Sequence, residues 1–222
     1  MRLFSKPSQG IITIAIIAVG IVFLYYVPIT QSLFSLKPTP VPTATPNYSG
    51  WRSYTNQKFG ISLKYPSTFQ LVPGRSGPLA EWQQYGFTNG VEIASINIPT
   101  SFQIRTNFLG ASLRIGLSNE DTAIKECLSP PSAFGYQNAY SERTIGGKTF
   151  HIFTHSDAGA GNFYEYISYR ALNDDDGCEV FEHSIHKTNI QNYPEEAGRT
   201  EFDHTAVINV LDSILDTVTF IK

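Results

Sequence analysis

The sequence predicts an α+β domain, in which helices pack on an antiparallel β-sheet, preceded by one transmembrane helix. Three observations predict this fold class. Several short runs alternate apolar and polar residues and are joined by turn residues, which is the pattern of strands in sequential hairpins. Two other stretches place apolar residues at helical spacing, and an uncharged apolar run lies near the amino terminus. Antiparallel strands with separate helices indicate the α+β class.

The segment at residues 11–29 is predicted to cross the membrane as a signal-anchor helix. Its apolar part, residues 11–27, is at the short end of the length of about 20 residues that spans a hydrocarbon core. Arg2 and Lys6 precede it, and by the positive-inside rule they place a tail of residues 1–10 in the cytoplasm. A cleaved signal peptide is the alternative. We therefore expect a single-pass protein of the plasma membrane, with the lipid bilayer as the partner of this helix.

Residues 30–50 are predicted to be a stalk. Prolines recur there at nearly every second or third position from residue 37, which favours an extended polyproline II spacer. A docking peptide for a proline-binding module is the alternative. Residues 51–222 are then the extracytoplasmic domain, and it contains all 19 acidic residues of the chain. A net-negative domain without a basic block argues against a nucleic-acid partner.

The predicted domain opens with a hairpin over residues 52–65. Its second strand alternates four apolar residues with polar or small ones: Phe59, Ile61, Leu63 and Tyr65. Pro66 ends this strand because proline cannot donate a hydrogen bond to a ladder. The same pattern predicts strands at residues 91–98, 111–117, 143–145, 148–155, 163–172, 178–186 and 217–221. Glycines at 146–147 and an acidic segment at 173–177 are predicted hairpin turns.

Two helices are predicted within the domain. The first begins at residues 118–121, which are similar to a capping box, and ends at Pro130. Its apolar positions are Ala123, Ile124, Cys127 and Leu128. The second helix begins at Asp203, which is expected to cap it. Its apolar stripe is Val207, Val210, Leu211, Ile214 and Leu215.

Both ends of the domain carry a family resemblance. The sequence YTNQKFGISLKYP at residues 54–66 and the sequence ILDTVTF at residues 214–220 together resemble the PsbP-like domains of bacterial lipoproteins and membrane-anchored exported proteins. The resemblance implies a twisted antiparallel sheet with helices on both faces, an α/β/α sandwich. Some members associate with photosystem II, and many bacterial members have no assigned activity. The chain departs from the family between Cys127 and Asn192, so the resemblance implies a fold more than a function.

Cys127 and Cys178 are the two cysteines of the chain, and both belong to the predicted extracytoplasmic domain. Thiols in an oxidising compartment tend to pair, so a disulfide is predicted. It would close a loop of about 50 residues and stabilise the domain by about 4 kcal/mol. Two buried, unpaired thiols are the alternative, because Cys127 lies on the apolar face of its predicted helix.

Histidines on the predicted strands suggest a metal site as one hypothesis. His151 and His155 would share a strand face, and His186 would share one with Glu182. However, His151 and His155 would lie about 13 Å apart and cannot bind one ion together. Half-exposed sheet histidines are the alternative, so no metal or cofactor is expected. The acidic turn does not fit a calcium loop either, because Leu172 and His183 stand where acidic ligands are needed.

Function is predicted less sharply than fold. A possible binding surface is expected beside the 157–162 loop, at His151, His155, Tyr164, Tyr166 and His186. Since the sequence contains no recognisable catalytic motif, the favoured hypothesis is a non-enzymatic binding or assembly module with an envelope protein as its partner. The alternatives are an exported hydrolase or metal-dependent enzyme that uses His151, His155, His183 or His186 with Glu182, and a self-associating structural protein of the cell envelope.

Overall fold

The computed structural model describes residues 47–74, 90–129, 137–173 and 177–221. These ranges belong to one unit, Pro46–Lys222. The predicted cytoplasmic tail, the transmembrane segment at 11–29 and most of the stalk at 30–50 lie outside the described residues, so these domain boundaries stay predictions. Within the described ranges, no helix combines the length and the apolar character that crossing a membrane requires.

Strands make up most of the described structure. They are β1 (Trp51–Asn56), β2 (Ile61–Pro66), β3 (Gln70–Pro73), β4 (Val91–Ile98), β5 (Phe108–Ser118), β6 (Gln137–Ile145), β7 (Lys148–Gly159), β8 (Asn162–Leu172), β9 (Cys178–Thr188) and β10 (Thr219–Phe220). The α-helices of the described ranges are α1 (Asp121–Glu126) and α2 (His204–Leu215). Short 3-10 helices lie at Thr100–Gln103, Ile190–Asn192 and Glu195–Ala197.

The strands form two antiparallel sheets. The larger has seven strands in the order β3-β4-β5-β9-β8-β7-β6, and the smaller has three in the order β1-β2-β10. The sequential hairpins β7-β8 and β8-β9 lie side by side, and β9 also pairs with β5, which joins β6–β9 to β3–β5 in one sheet. The carboxy-terminal β10 extends the entry hairpin by pairing with β2.

The predicted fold class, an α+β domain with helices packed on the sheet as an α/β/α sandwich, is wrong. The described residues are mostly strand, in two sheets, with one long helix of 12 residues and one short helix of 6. The first helix is shorter than predicted because Ser118, its expected cap, is the last residue of β5 and pairs with Cys178. Some strands are longer than predicted: β5 begins at Phe108 and β7 continues to Gly159.

Local predictions agree better with the structure than the fold class does. The entry hairpin is confirmed as β1-β2, and β4 has the predicted bounds. The side chain of Asp203 accepts a hydrogen bond from the backbone of Ala206, which confirms the cap of α2. The stripe residues Val207, Leu211, Ile214 and Leu215 are buried.

The main core lies on one face of the seven-stranded sheet, which we call the helix face. Leu113, Tyr169 and Phe181 point from this face into the same buried cluster as Leu211 of α2 and Leu63 of β2. Polar contacts also join the sheet to α2. Tyr169 donates a hydrogen bond of 3.4 Å to Asp212, and Arg143 forms an ion pair with the same carboxylate. The helix face is therefore covered by α2 and by the three-stranded sheet.

The other face of the seven-stranded sheet carries mainly polar side chains, and we call it the polar face. Because successive residues of a strand point to opposite faces, Arg114, Ser168 and Glu182 lie here. At one end of this face, α1 packs over β9 in a small buried cluster that contains both cysteines.

Candidate functional site

The five residues of the predicted binding surface all lie on the polar face. Tyr164 and His186 are cross-strand partners, and their rings stack with centroids 4.3 Å apart. His155 and Tyr166 are also partners, with stacked rings 5.9 Å apart. His151 lies further along β7, where its Nε2 atom is 3.6 Å from a carboxylate oxygen of Glu142. The strand register thus joins four of the residues into two ring pairs and leaves His151 outside them.

A buried charge network lies beside these ring pairs. Arg114 donates hydrogen bonds of 3.2 Å to both Glu92 and Glu182, and so it connects β4, β5 and β9. Glu182 has no exposed surface, and its burial raises the pKa of its carboxyl group to about 7, although Arg114 and Arg170 oppose the shift. Its Oε2 atom has no hydrogen-bond partner within the described residues. This network therefore links β4, β5 and β9 through side chains on the polar face.

His183 lies on the helix face, opposite to His151, His155 and His186. Its ring packs edge-on against Tyr169 at 5.1 Å, and burial lowers its pKa to about 3. The four imidazoles named in the metal-dependent enzyme hypothesis are therefore divided between two faces of one sheet, three on the polar face and His183 on the helix face. Among the residues that the structure describes, no group of three His, Cys, Asp or Glu side chains could hold a metal ion.

The predicted disulfide between Cys127 and Cys178 is confirmed. It connects the end of α1 to the start of β9, with the two Cα atoms 5.6 Å apart. Both residues are fully buried and pack with Ala123 and Val180. The bridge spans a sequence separation of 51 residues. It therefore attaches the short helix to the centre of the large sheet.

A cavity of about 420 Å³ lies on the helix face, between the tip of the β7-β8 hairpin and the start of α2. We call it the hairpin groove. Its apolar floor is formed by Phe163, Ile185 and Phe202, and its polar rim is formed by Glu165, Lys187, Glu201 and His204. Ile185 is buried, whereas Phe163 is 38% exposed. An apolar floor with a few polar groups around it is the usual composition of a ligand site.

Asn107 positions one wall of the hairpin groove. Its side-chain amide donates hydrogen bonds of 2.8 Å to Glu201 and to the backbone carbonyl of Thr188. Its side-chain oxygen accepts a hydrogen bond of 3.1 Å from the backbone of Phe202. Asn107 is fully buried, so these bonds are shielded from water. The segment before α2 is thereby held against the end of β9.

Charged side chains pair across the rim of the groove. The Nζ atom of Lys187 is 3.5 Å from Glu201 and lies 5.8 Å from the ring centre of Phe163 and 5.7 Å from that of Phe202. On the other side, His204 and Glu165 are 2.8 Å apart. All four of these side chains keep contact with solvent. The groove can therefore exchange these internal pairs for contacts to a ligand.

The sequence prediction missed the hairpin groove. It placed a binding surface near the 157–162 loop, and the groove is beside that loop, but on the opposite face of the sheet. Phe163 and Glu165 alternate with Tyr164 and Tyr166, so a signal was present: both faces of the start of β8 carry residues suited to a surface. What the alternation could not show is that residues 201–204 return to this position.

Comparisons with known proteins identify no family for this chain. No family model matches it. No curated protein matches it. The resemblance to PsbP-like domains is therefore not confirmed by a family model and stays a prediction.

Solved structures with a partial likeness to this chain include two from bacteria. One is a crystal structure from Bacteroides thetaiotaomicron, with 11% identity, a TM-score of 0.42 and coverage of 78% of this chain; the chain spans about half (49%) of that protein. The other is LpqN, a Mycobacterium tuberculosis protein involved in cell envelope biogenesis, with 14% identity, a TM-score of 0.36 and coverage of 83% of this chain and 90% of LpqN. At these TM-scores, neither likeness assigns a fold or a role to this chain.

Proposed function

We propose that this chain is a membrane-tethered, extracytoplasmic binding module without catalytic activity, and that it holds a protein partner in the hairpin groove. The groove carries the proposal. Its volume of about 420 Å³ falls within the range of about 300–1,000 Å³ that is usual for ligand sites. Its floor includes Phe163, an aromatic side chain of the kind that anchors interfaces, and that residue is still 38% exposed.

The disulfide supports the extracytoplasmic part of the proposal. A bond between Cys127 and Cys178 persists in oxidising compartments and is rare in the cytosol. The apolar segment at residues 11–29 is proposed as the anchor and residues 30–50 as the stalk, which at about 3.1 Å per residue holds the domain away from the bilayer. The partner is then a protein of the cell envelope.

The positions of the histidines favour a binding module over a metal-dependent enzyme. His183 is buried against Tyr169 on the helix face, whereas His151, His155 and His186 lie on the polar face. One metal ion needs its ligands within about 2.0–2.3 Å of a single point, and among the described residues no three His, Cys, Asp or Glu side chains are placed in this way. The described residues instead offer recognition surfaces on both faces of the sheet.

Site-specific photo-crosslinking in cells that produce the full chain tests the proposal. A benzoylphenylalanine in place of Phe163 should crosslink to a distinct protein, whereas the same group in place of the exposed Asn209 on α2 should not. Ala158→Trp, which places a large side chain in the groove, should abolish the product at residue 163. Identical products from both positions, or a product that survives Ala158→Trp, would refute the groove. A product of twice the mass of the chain would instead support the self-associating alternative.

A further inference from the structure

We propose that the hairpin groove recognises an arginine side chain that the partner protein presents beside an apolar residue. This inference rests on the proposed function and deepens it, because it states the chemistry of the residue that enters the groove. Three properties of the groove lead to it: the balance of charge on its rim, the contacts of its own lysine, and the exposed ring on its floor.

The rim has more negative than positive charge. The carboxylates of Glu165 and Glu201 line the groove, against the single ammonium group of Lys187 and the imidazole of His204. The domain around it is also rich in carboxylates, since all 19 acidic residues of the chain follow residue 50. A cation is therefore attracted to this site, and a phosphate or carboxylate ligand is repelled.

Lys187 shows how the groove holds a cation. Its ammonium group lies within 6 Å of two ring centres, those of Phe163 (5.8 Å) and Phe202 (5.7 Å), and beside the carboxylate of Glu201 (3.5 Å). Aromatic rings attract cations through their negative faces, and a nearby carboxylate strengthens the attraction. The same combination of a ring and a carboxylate recurs across the groove, where Glu165 lies two residues from Phe163 on the same strand face.

Arginine fits this second position better than lysine does. A guanidinium group is planar, so it can stack on the exposed ring of Phe163 while it donates two parallel hydrogen bonds to a carboxylate. Glu165 is available for such an exchange because its side chain is 40% exposed and its contact in the described structure is with His204, whose side chain is 47% exposed. Ile185 and Phe202 then accept the apolar neighbour of the arginine.

A pair of matched small probes tests this chemistry. The full chain, in detergent micelles and with 4-fluorophenylalanine at residue 163, is titrated with Nα-acetyl-arginine amide and followed by the fluorine resonance. The neutral isostere Nα-acetyl-citrulline amide is titrated in parallel. We expect the arginine probe to bind about tenfold more tightly, because citrulline loses the cation–π contact and the ion pair. Added salt should weaken the arginine probe alone.

Two variants locate the carboxylate. Glu165→Gln should weaken the arginine probe about fivefold and leave the citrulline probe unchanged. Glu196→Gln, at an exposed carboxylate that does not line the groove, should change neither probe. Equal affinity of the two probes, a resonance that neither probe shifts, or an unchanged affinity in Glu165→Gln would each overturn the arginine assignment.

The outcomes separate this inference from the proposed function. If the arginine probe fails but Ala158→Trp still abolishes the crosslink at residue 163, the groove binds a partner of different chemistry. If the crosslink is also absent, the proposed function falls with it. Tighter binding of Nα-acetyl-glutamate amide than of the arginine probe would show that Lys187 and not the carboxylates determines the ligand.

Discussion

Removal of the disulfide should lower the stability of the domain by an amount that the length of the closed loop determines. In the chain-entropy treatment, a cross-link between residues separated by 51 positions lowers the entropy of the unfolded state and so raises its free energy by about 4 kcal/mol. The Cys127→Ala/Cys178→Ala variant loses this restraint. Urea unfolding of the full chain in detergent, followed by circular dichroism, measures the loss. With a slope of about 2 kcal/mol per molar urea, the midpoint should fall by about 2 M.

The packing of the two sulfur atoms needs a separate control. Wild-type protein unfolded in the presence of a reductant keeps both sulfur atoms and loses only the bond, so its midpoint should match that of the double variant within about 0.5 M. Both should also show a steeper slope than the oxidised protein, because an open loop exposes more surface on unfolding. An unchanged midpoint in the double variant would refute the reasoning, since the loop would then not limit the unfolded chain.

Three further changes test other parts of the structure. Glu182→Gln replaces a buried carboxyl group whose pKa is raised. The stability of the wild type relative to the variant should therefore fall by up to about 3 kcal/mol as the pH rises from about 4.5 to about 7. Urea midpoints of the two proteins that run parallel across this pH range would contradict the prediction. Leu211→Ala creates a cavity at a fully buried position of α2 and should lower the free energy of unfolding by about 3 kcal/mol. The control Asn209→Ala, at an exposed position of the same helix, should lower it by under about 0.5 kcal/mol in the same urea assay. Equal losses would show that this helix is not packed as described. Gly146→Ala puts a Cβ atom 2.9 Å from a phenylalanine ring and should cost about 1–3 kcal/mol more than Gly147→Ala, which has open space and a similar positive φ; thermal melts that coincide would exclude the ring contact.

Local signals predicted the elements well, because their causes lie within a few residues. Pro66 ends β2 by removing a donor, and Asp203 caps α2 through a hydrogen bond to a residue three positions later. The alternation along β7, β8 and β9 likewise placed each predicted surface residue on its strand face. The fold class failed because pairing between β5 and β9 depends on contacts across about 70 residues, which no local pattern encodes.

The candidate site shows the same division. The ring pair of Tyr164 and His186 follows from the period of two along adjacent strands. The hairpin groove does not, because Glu165 meets His204 only after the chain has completed β9 and returned, 39 residues later. Asn107 fixes that return from 94 residues away in sequence, through its hydrogen bond to Glu201. Contacts of this kind become visible only in three dimensions.

Two neighbouring residues of β9 have pKa shifts in opposite directions, so their effects on the pH dependence of stability oppose each other in mild acid. Glu182 points to the polar face with a pKa raised from 4.5 to about 7, and His183 points to the helix face with a pKa lowered from 6.5 to about 3. Between pH 4.5 and 6.5, folding takes up a proton at the first residue and releases one at the second, so the two pH dependences oppose each other. The combined contribution of these two residues to the stability of the domain is therefore nearly level from pH 6.5 to pH 4.5, and it falls below pH 4.5, where His183 acts alone.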